Sequence, residues 1–361
     1  MKKRYKKKYL TVFAVLTMML MLLASFAASI SIEKEDIHSN LSKNETGLES
    51  KTFGCRSTDG IVYKEEYTGA TGTSFQEMWS ASTGWVRDDP SDDCTGRGDK
   101  IDIGIDQLPG WRTFIGRGFL FFDTSTLPDD LYILSAKLEL CGFEKEQEKN
   151  FNIQLYKGKS GYPHEPLTSN DYDYSKYEDS EEGAVPYSVA DFKCSDQPKI
   201  NFIILNENGK SWINPMGLTK FCIRSDREFA GRDSGKSEWV SFWSADKGGD
   251  YSPKLKLTYT RKPVASISNP DPEKPTRNEQ VEFEGSGADF VGDKITDYKW
   301  RVDGDVQQQT GTTLKTSFSS GGEHTVSLKV KDEHGAWSEW AEKEVTVSDN
   351  VGPTNAHISG P

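Results

Sequence analysis

Gly322-Glu323-His324-Thr325-Val326-Ser327-Leu328-Lys329-Val330-Lys331-Asp332 is the stretch whose reading decides the fold of the C-terminal third of this chain. From Thr325 to Val330 polar and apolar residues alternate, so an extended backbone turns Val326, Leu328 and Val330 to one face and wets the other. Upstream, Gln280-Val281-Glu282-Phe283 and Ile295-Thr296-Asp297-Tyr298-Lys299-Trp300 read the same way, and Trp300 is large enough to fill the centre of a small sandwich core. The dipeptides Asp303-Gly304, Gly321-Gly322 and His334-Gly335 set turns at strand-length intervals, with a hairpin expected around Asp303-Gly304.

These segments together resemble a PKD domain, an immunoglobulin-like sandwich used as a spacer in exported proteins and surface layers. Gln280 to Gly287 stands where that family has its "V-x-F-x-A-S-G" strand, Ile295 to Trp300 matches "I-x-x-Y-x-W", and Gly322 to Asp332 supplies "G-x-H-T-V-x-L-x-V-x-D". After Trp300 the family has an acidic turn, "D-F-G-D-G", whereas this chain has Arg301-Val302-Asp303-Gly304. The expected unit is 261–349. Ala265-Ser266-Ile267-Ser268-Asn269-Pro270 returns as Ala356-His357-Ile358-Ser359-Gly360-Pro361, so 350–361 is expected to begin a second, incomplete repeat of a modular array.

At the other end, Lys2, Lys3, Arg4, Lys6, Lys7 and Lys8 precede an uncharged apolar run from Tyr9 to Ile30. This predicts a hydrophobic signal helix over 1–29, either cleaved after Ala27 or Ser29 or kept as an N-terminal anchor, with the rest of the chain outside the cell. Contact with a membrane is expected only through that segment. The formal net charge of −12 falls to about −18 once those six basic residues are set aside, which argues against nucleic-acid binding. Residues 30–52 read as a flexible linker, with Asn40 and Asn44 in acceptor triplets for N-glycans.

Residues 53–260 carry short strand patterns broken by polar turns: Arg117 to Asp123, Ile133 to Leu140, Asn152 to Tyr156, Lys220 to Arg224, Trp239 to Trp243 and Lys254 to Tyr259. Helical periodicity is lacking, so the fold class is all-β: a β-sandwich, read as a jelly roll, followed by the immunoglobulin-like sandwich. Arg117 to Asp123 followed by Thr124-Ser125-Thr126-Leu127-Pro128, then Ser135-Ala136-Lys137-Leu138, Tyr162-Pro163-His164 and Pro253 to Tyr259, resemble the DNRLRE-type, disaggregatase-related domain. That resemblance implies a jelly roll that binds polysaccharide or builds surface structures.

The five cysteines lie at 55, 94, 141, 194 and 222, an odd number in an export context. Either Cys141 and Cys222 pair, or the thiols are buried as small apolar groups. His38, His164, His324, His334 and His357 are dispersed and form no metal motif, and His324 and His334 read as packing residues. Metalloprotease, nucleophile-elbow and phosphate-loop patterns are absent, so no enzyme activity is expected. In the loop Arg87 to Cys94, Asp88, Asp89, Asp92 and Asp93 offer hard oxygens for a structural Ca2+, with Asp99, Asp102 and Asp106 close behind; the alternative is a solvated acidic turn. No other cofactor is expected. Arg97-Gly98-Asp99 spells an adhesion tripeptide too short to carry weight.

Sugar recognition needs aromatic faces that stack on pyranose rings, with polar groups around them. Trp79, Trp85 and Trp111 stand in polar, loop-like contexts, and Tyr162, Tyr172 and Tyr174 crowd an insertion from Tyr162 to Tyr187. Packing is the alternative for each. The functional expectation is an exported, surface-associated protein that binds extracellular polysaccharide or neighbouring surface proteins. Its alternatives are a piece of a polysaccharide-degrading, disaggregatase-like enzyme, and a surface-layer or sheath subunit.

Overall fold

The computed structural model describes residues 48–66, 74–88, 98–108, 112–195, 197–233 and 235–349. The expected signal helix, Asn40, Asn44, Trp111 and the expected second repeat at 350–361 lie outside them. Among the described residues no helix is long and apolar enough to cross a membrane.

The first unit contains β1 (Glu49–Gly54), β2 (Gly60–Glu66), β3 (Trp85–Arg87), β4 (Lys100–Leu108), β5 (Arg112–Asp123), β6 (Leu131–Gln147), β7 (Asn152–Gly158), β8 (Tyr177–Glu182), β9 (Tyr187–Ser188), β10 (Ile200–Ile204), β11 (Leu218–Ser225), β12 (Glu238–Trp243) and β13 (Lys254–Arg261). Three short helices, α1 (Phe75–Trp79), α2 (Glu207–Ser211) and α3 (Asp226–Phe229), interrupt them. One layer runs β1-β13-β6-β10; the other runs β12-β4-β5-β11-β7, with β2 and then β3 added along β5. The long β6 belongs to both, because its first half pairs with β13 and β10 and its second half with β12. Gly142 stands at that changeover, where a Cβ would lie 2.0 Å from the Lys193 carbonyl oxygen.

Alternation along each strand builds the core. Ile101, Ile103, Leu120, Phe122, Leu138, Leu140, Leu155, Phe221, Ile223, Val240, Phe242, Leu255 and Leu257 meet between the layers. A second cluster, with Val62, Ile115, Phe119, Phe121, Tyr156, Tyr172, Tyr177 and Cys222, covers the outer face of the second layer. The same alternation overturns the expected disulfide. Phe221 and Ile223 point inward, so Cys222 faces the outer cluster; Leu138 and Leu140 point inward, so Cys141 faces away from the core on the opposite layer. Both are free thiols, as are Cys55 and Cys194.

The expected linker gives way to structure earlier than residue 53. β1 begins at Glu49 and pairs with β13 from Glu49↔Tyr259 to Gly54↔Lys254. Its polar residues hide this from periodicity, since it is an edge strand held by ladder bonds, by Tyr259 Oη donating to Glu49 Oε2 at 3.0 Å, and by Lys51 Nζ donating to the Thr126 carbonyl at 3.0 Å.

The second unit follows after Lys262-Pro263. It contains β14 (Val264–Ile267), β15 (Gln280–Ala288), β16 (Ile295–Val302), β17 (Asp305–Val306), β18 (Thr313–Ser317), β19 (Gly322–Asp332) and β20 (Ala341–Val347), arranged as β14-β15-β18 against β17-β16-β19-β20. Val281, Phe283, Trp300, Leu314, Val326, Leu328 and Val330 fill the space between. Trp300 is wholly buried and its Nε1 donates to the Gly311 carbonyl at 2.9 Å. The hairpin between β16 and β17 turns on Asp303 (φ 49°) and Gly304 (φ 89°), both left-handed as a two-residue type I′ turn requires.

Candidate functional site

Among the described residues β3 pairs with β2 alone, in the register Tyr63↔Trp85, Val62↔Val86 and Ile61↔Arg87. Val62 and Val86 point into the outer cluster, so Tyr63, Trp85 and Arg87 share the other side. Arg87 is buried and donates from Nη2 to Asp102 Oδ2 at 2.6 Å. Its guanidinium stands 5.7 Å from the centre of the Tyr63 ring, and Tyr63 packs on Phe114 at 5.3 Å. Trp85 closes the row. It is 52% exposed and meets Tyr63 edge-on at 5.8 Å, with Lys64 Nζ 5.8 Å from the centre of its ring. The result is a half-exposed indole held against Tyr63, with the Lys64 ammonium over its ring.

The other sequence-selected aromatics have different places, and a buried ion cluster explains why. Glu228, on α3, accepts at Oε1 from Arg117 Nε (2.9 Å) and Nη2 (2.8 Å) and from Arg224 Nη2 (2.7 Å), and at Oε2 from Arg224 Nε (2.7 Å). All three side chains are completely buried. Burial acts to raise the Glu228 carboxyl, but the guanidiniums of Arg117 and Arg224 outweigh it and hold the group below the usual carboxylate range. Tyr172, itself fully buried, lies 3.7 Å beneath the Arg117 guanidinium, and its carbonyl accepts from Arg117 Nη1. The Trp79 carbonyl accepts from Arg117 Nη2 at 2.8 Å, while Trp79 Nε1 donates to the Glu228 carbonyl at 2.7 Å.

Trp79 and Tyr174 stack on each other at 4.2 Å, and Tyr162 leans edge-on against His164 (4.6 Å) and Tyr177 (6.5 Å). The crowded insertion is therefore a lid over the Arg117–Glu228–Arg224 cluster. Tyr172 is corrected from ligand contact to core, while Trp79, Tyr174 and Tyr162 are half-buried in the ring contacts just described. Asp171 in the same lid is fully buried and accepts from the backbone amides of His164 (2.8 Å) and Thr168 (2.7 Å).

Of the expected calcium ligands, only Asp88 lies within the described residues; Asp89, Asp92 and Asp93 do not. The acids behind them are taken up by β4, where Ile101 and Ile103 turn into the core between the layers, Asp102 pairs with Arg87, and Asp106 pairs with Arg112 Nη2 at 2.7 Å.

A second open surface, not anticipated from sequence, lies on the outer face of the first layer. A groove of about 500 Å3 runs over β1, β13 and β6, with Lys51, Lys137, Lys256 and Ile204 on its walls. Lys256 Nζ is paired to Glu139 at 2.9 Å, and Lys137 Nζ stands 4.3 Å from the centre of the 42% exposed Phe202 ring. On a strongly acidic chain this is a local concentration of ammonium groups beside an exposed ring. The alternating Phe202 and Ile204 of β10 are the trace of it in the sequence.

Residues 260–347 match the family model for the PKD domain, and this unit is a PKD domain. Among solved structures, the chain is similar to the PKD1 domain of Vibrio anguillarum Epp, at 22% identity over 25% of this chain and 96% of that one, with a TM-score of 0.20. It is likewise similar to the PKD1 domain of the Vibrio cholerae metalloprotease PrtV, at 20% identity over 24% and 98%, with a TM-score of 0.20. Fibronectin(III)-like modules of Clostridium thermocellum CbhA align at 19% identity over 24% and 98%, with a TM-score of 0.21. The curated proteins contain no match to the chain.

Proposed function

We propose that this is an exported cell-surface protein whose first sandwich, a jelly roll of the DNRLRE type, binds polysaccharide through the Trp85 face and is carried on a PKD spacer. The observation that carries the reading is Trp85: a tryptophan 52% open to solvent, yet fixed edge-on by Tyr63 and flanked by Lys64. An indole held this way loses little side-chain freedom when a sugar ring covers it, so most of the stacking energy is retained as affinity. Support for export comes from the basic and then apolar N-terminus, and from a spacer type common outside cells.

The test is binding of the purified protein to a panel of neutral and acidic matrix polysaccharides. Trp85→Ala is expected to weaken binding by about ten-fold, the equivalent of about 1.4 kcal/mol, with the unfolding transition unchanged. Binding unaltered in Trp85→Ala but lost in Lys137→Ala/Lys256→Ala would move the site to the lysine groove and refute the assignment to Trp85. Depolymerisation of a matrix polysaccharide by the purified chain would refute the non-enzymatic reading.

A further inference from the structure

Outside the sugar face, one side-chain group in the PKD unit has the composition and spacing of a metal centre. Asp293 lies in the loop between β15 and β16, Asp332 is the last residue of β19, and His334 lies in the turn that follows it. One ligand atom from each of the three side chains lies within 4.8 Å of the others. His334 Nδ1 and Asp293 Oδ2 are 3.1 Å apart. Two ligands at the ~2.0–2.2 Å bond lengths of a zinc-class ion sit roughly 3–3.5 Å from each other, so this pair already has the bite required.

Both supporting turns are built to hold position. Asp289 Oδ1 accepts from the amides of Val291 (2.8 Å), Gly292 (3.1 Å) and Asp293 (3.1 Å), fixing the loop. Asp332 Oδ1 accepts from the amides of His334 (2.9 Å) and Ala336 (2.8 Å), fixing the turn. The second oxygen of Asp332 makes the independent point. Asp332 is only 1% exposed, and its Oδ2 is buried without a hydrogen-bond partner. A buried carboxylate oxygen that the fold leaves unpaired costs free energy unless a cation or donor reaches it. Asp289 and Glu333 add negative charge around Asp293, so the surroundings favour a cation.

We propose that His334 Nδ1, one carboxylate oxygen of Asp293 and Oδ2 of Asp332 form a binding site for a divalent zinc-class ion, tying the β15–β16 loop to the turn after β19. An imidazole nitrogen with two carboxylates suits Zn2+ rather than Ca2+, which takes an all-oxygen shell. On binding, the neutral imidazole presents its Nδ1 lone pair to the ion as the Nε2–H tautomer, a hydrogen on Nδ1 passing to Nε2 through solvent with no net proton lost from the ring, and the His334–Asp293 hydrogen bond is replaced by two metal–ligand bonds. His324, the other histidine of this unit that faces a carboxylate, makes no such site: it meets Asp303 alone at 2.7 Å, and its Nε2 is turned to the Ser320 carbonyl at 3.1 Å.

The experiment is calorimetric titration of the full chain with ZnCl2 and, separately, with CaCl2, followed by a thermal scan of the PKD unit. One zinc ion is expected to saturate the site and raise that transition. His334→Ala and Asp293→Asn should each weaken binding by at least about ten-fold, and His324→Ala should not. Asp332 is left intact because its Oδ1 caps the turn. No saturable zinc binding to the wild type would overturn the proposal, as would zinc binding unchanged in His334→Ala, or calcium binding at the same affinity as zinc. None of these outcomes bears on the sugar-binding reading, which rests on the other unit.

Discussion

Replacing Glu228 with Gln is the sharpest test of how the first sandwich is held together. The carboxylate takes four charge-assisted hydrogen bonds from Arg117 and Arg224 in a site that water does not reach. Glutamine keeps the shape, but loses the charge and presents an NH2 group to one of the guanidiniums, donor against donor. Two buried cations then remain, with the Tyr172 and Trp79 carbonyls and the Tyr172 ring (3.7 Å) against Arg117, and the Phe229 ring (4.6 Å) against Arg224, but no counter-charge between them. Breaking a buried pair from one side costs about 3–5 kcal/mol. For a unit of this size that is a fall of about 6–20 °C in the unfolding midpoint. Differential scanning calorimetry of the full chain measures it, with the PKD transition as internal control. A control with the charges removed together (Arg117→Met, Arg224→Met, Glu228→Leu) should recover most of the loss, because the desolvation of all three ions is removed at once. A Glu228→Gln midpoint within about 2 °C of wild type would refute the reasoning, as would a triple variant no more stable than the single one.

Asp59 is fully buried, and burial pushes its carboxyl up to about 8, with repulsion from Asp246 adding to the rise. The folded state therefore keeps a proton that the unfolded chain releases near pH ~3.9, so this contribution to stability is complete below about pH 4 and is lost as pH rises toward 8. Urea titrations at pH 5 and pH 8 should show a fall of order a few kcal/mol that Asp59→Asn abolishes; an equal slope in the variant would sink the idea. In the PKD unit, a Cβ on Gly285 would lie 2.5 Å from Leu328 Cδ2 and 2.7 Å from Trp300 Cζ2, so Gly285→Ala should destabilise that unit by about 1–3 kcal/mol. Calorimetry should show the PKD transition moving alone, and no movement would mean that the Trp300 pocket has slack.

The PKD fold was readable because each strand carries its own signal. Val326, Leu328 and Val330 alternate on β19, Val281 and Phe283 on β15, and Asp303-Gly304 supplies the two left-handed residues its hairpin needs. The first sandwich was legible to the extent that its strands alternate: β5, β6, β7, β11, β12 and β13 all contain runs that periodicity selects. β4 carries the same pattern in Ile101, Ile103 and Ile105, yet its acids drew attention first and read as extensions of a calcium loop. β1 has no such pattern, since an edge strand with solvent on one side and ladder bonds on the other needs little apolar content. The Cys141–Cys222 pairing failed because alternation within a strand assigns a relative face, while which face meets the core is settled by the neighbouring strands.

That last point also explains the aromatics. Trp79, Trp85 and Tyr172 have polar neighbours in sequence, so local composition ranks them together. What separates them is Glu228, which is distant from all three in the chain. A carboxylate buried between Arg117 and Arg224 needs its remaining polar neighbours satisfied and its site sealed. The carbonyls of Trp79 and Tyr172 meet the first need for Arg117, and the Tyr172 ring and the Trp79–Tyr174 stack meet the second. Trp85 stays half open because, among the described residues, β3 pairs with β2 alone, so its ring lies at an edge where Tyr63 props it. The proposed metal centre follows the same logic: Asp293 and His334 are 41 residues apart, and only the β16–β19 register places them side by side. A single chain read along its length can nominate such residues one at a time; it takes the ladder to show which of them share a site and which seal a core.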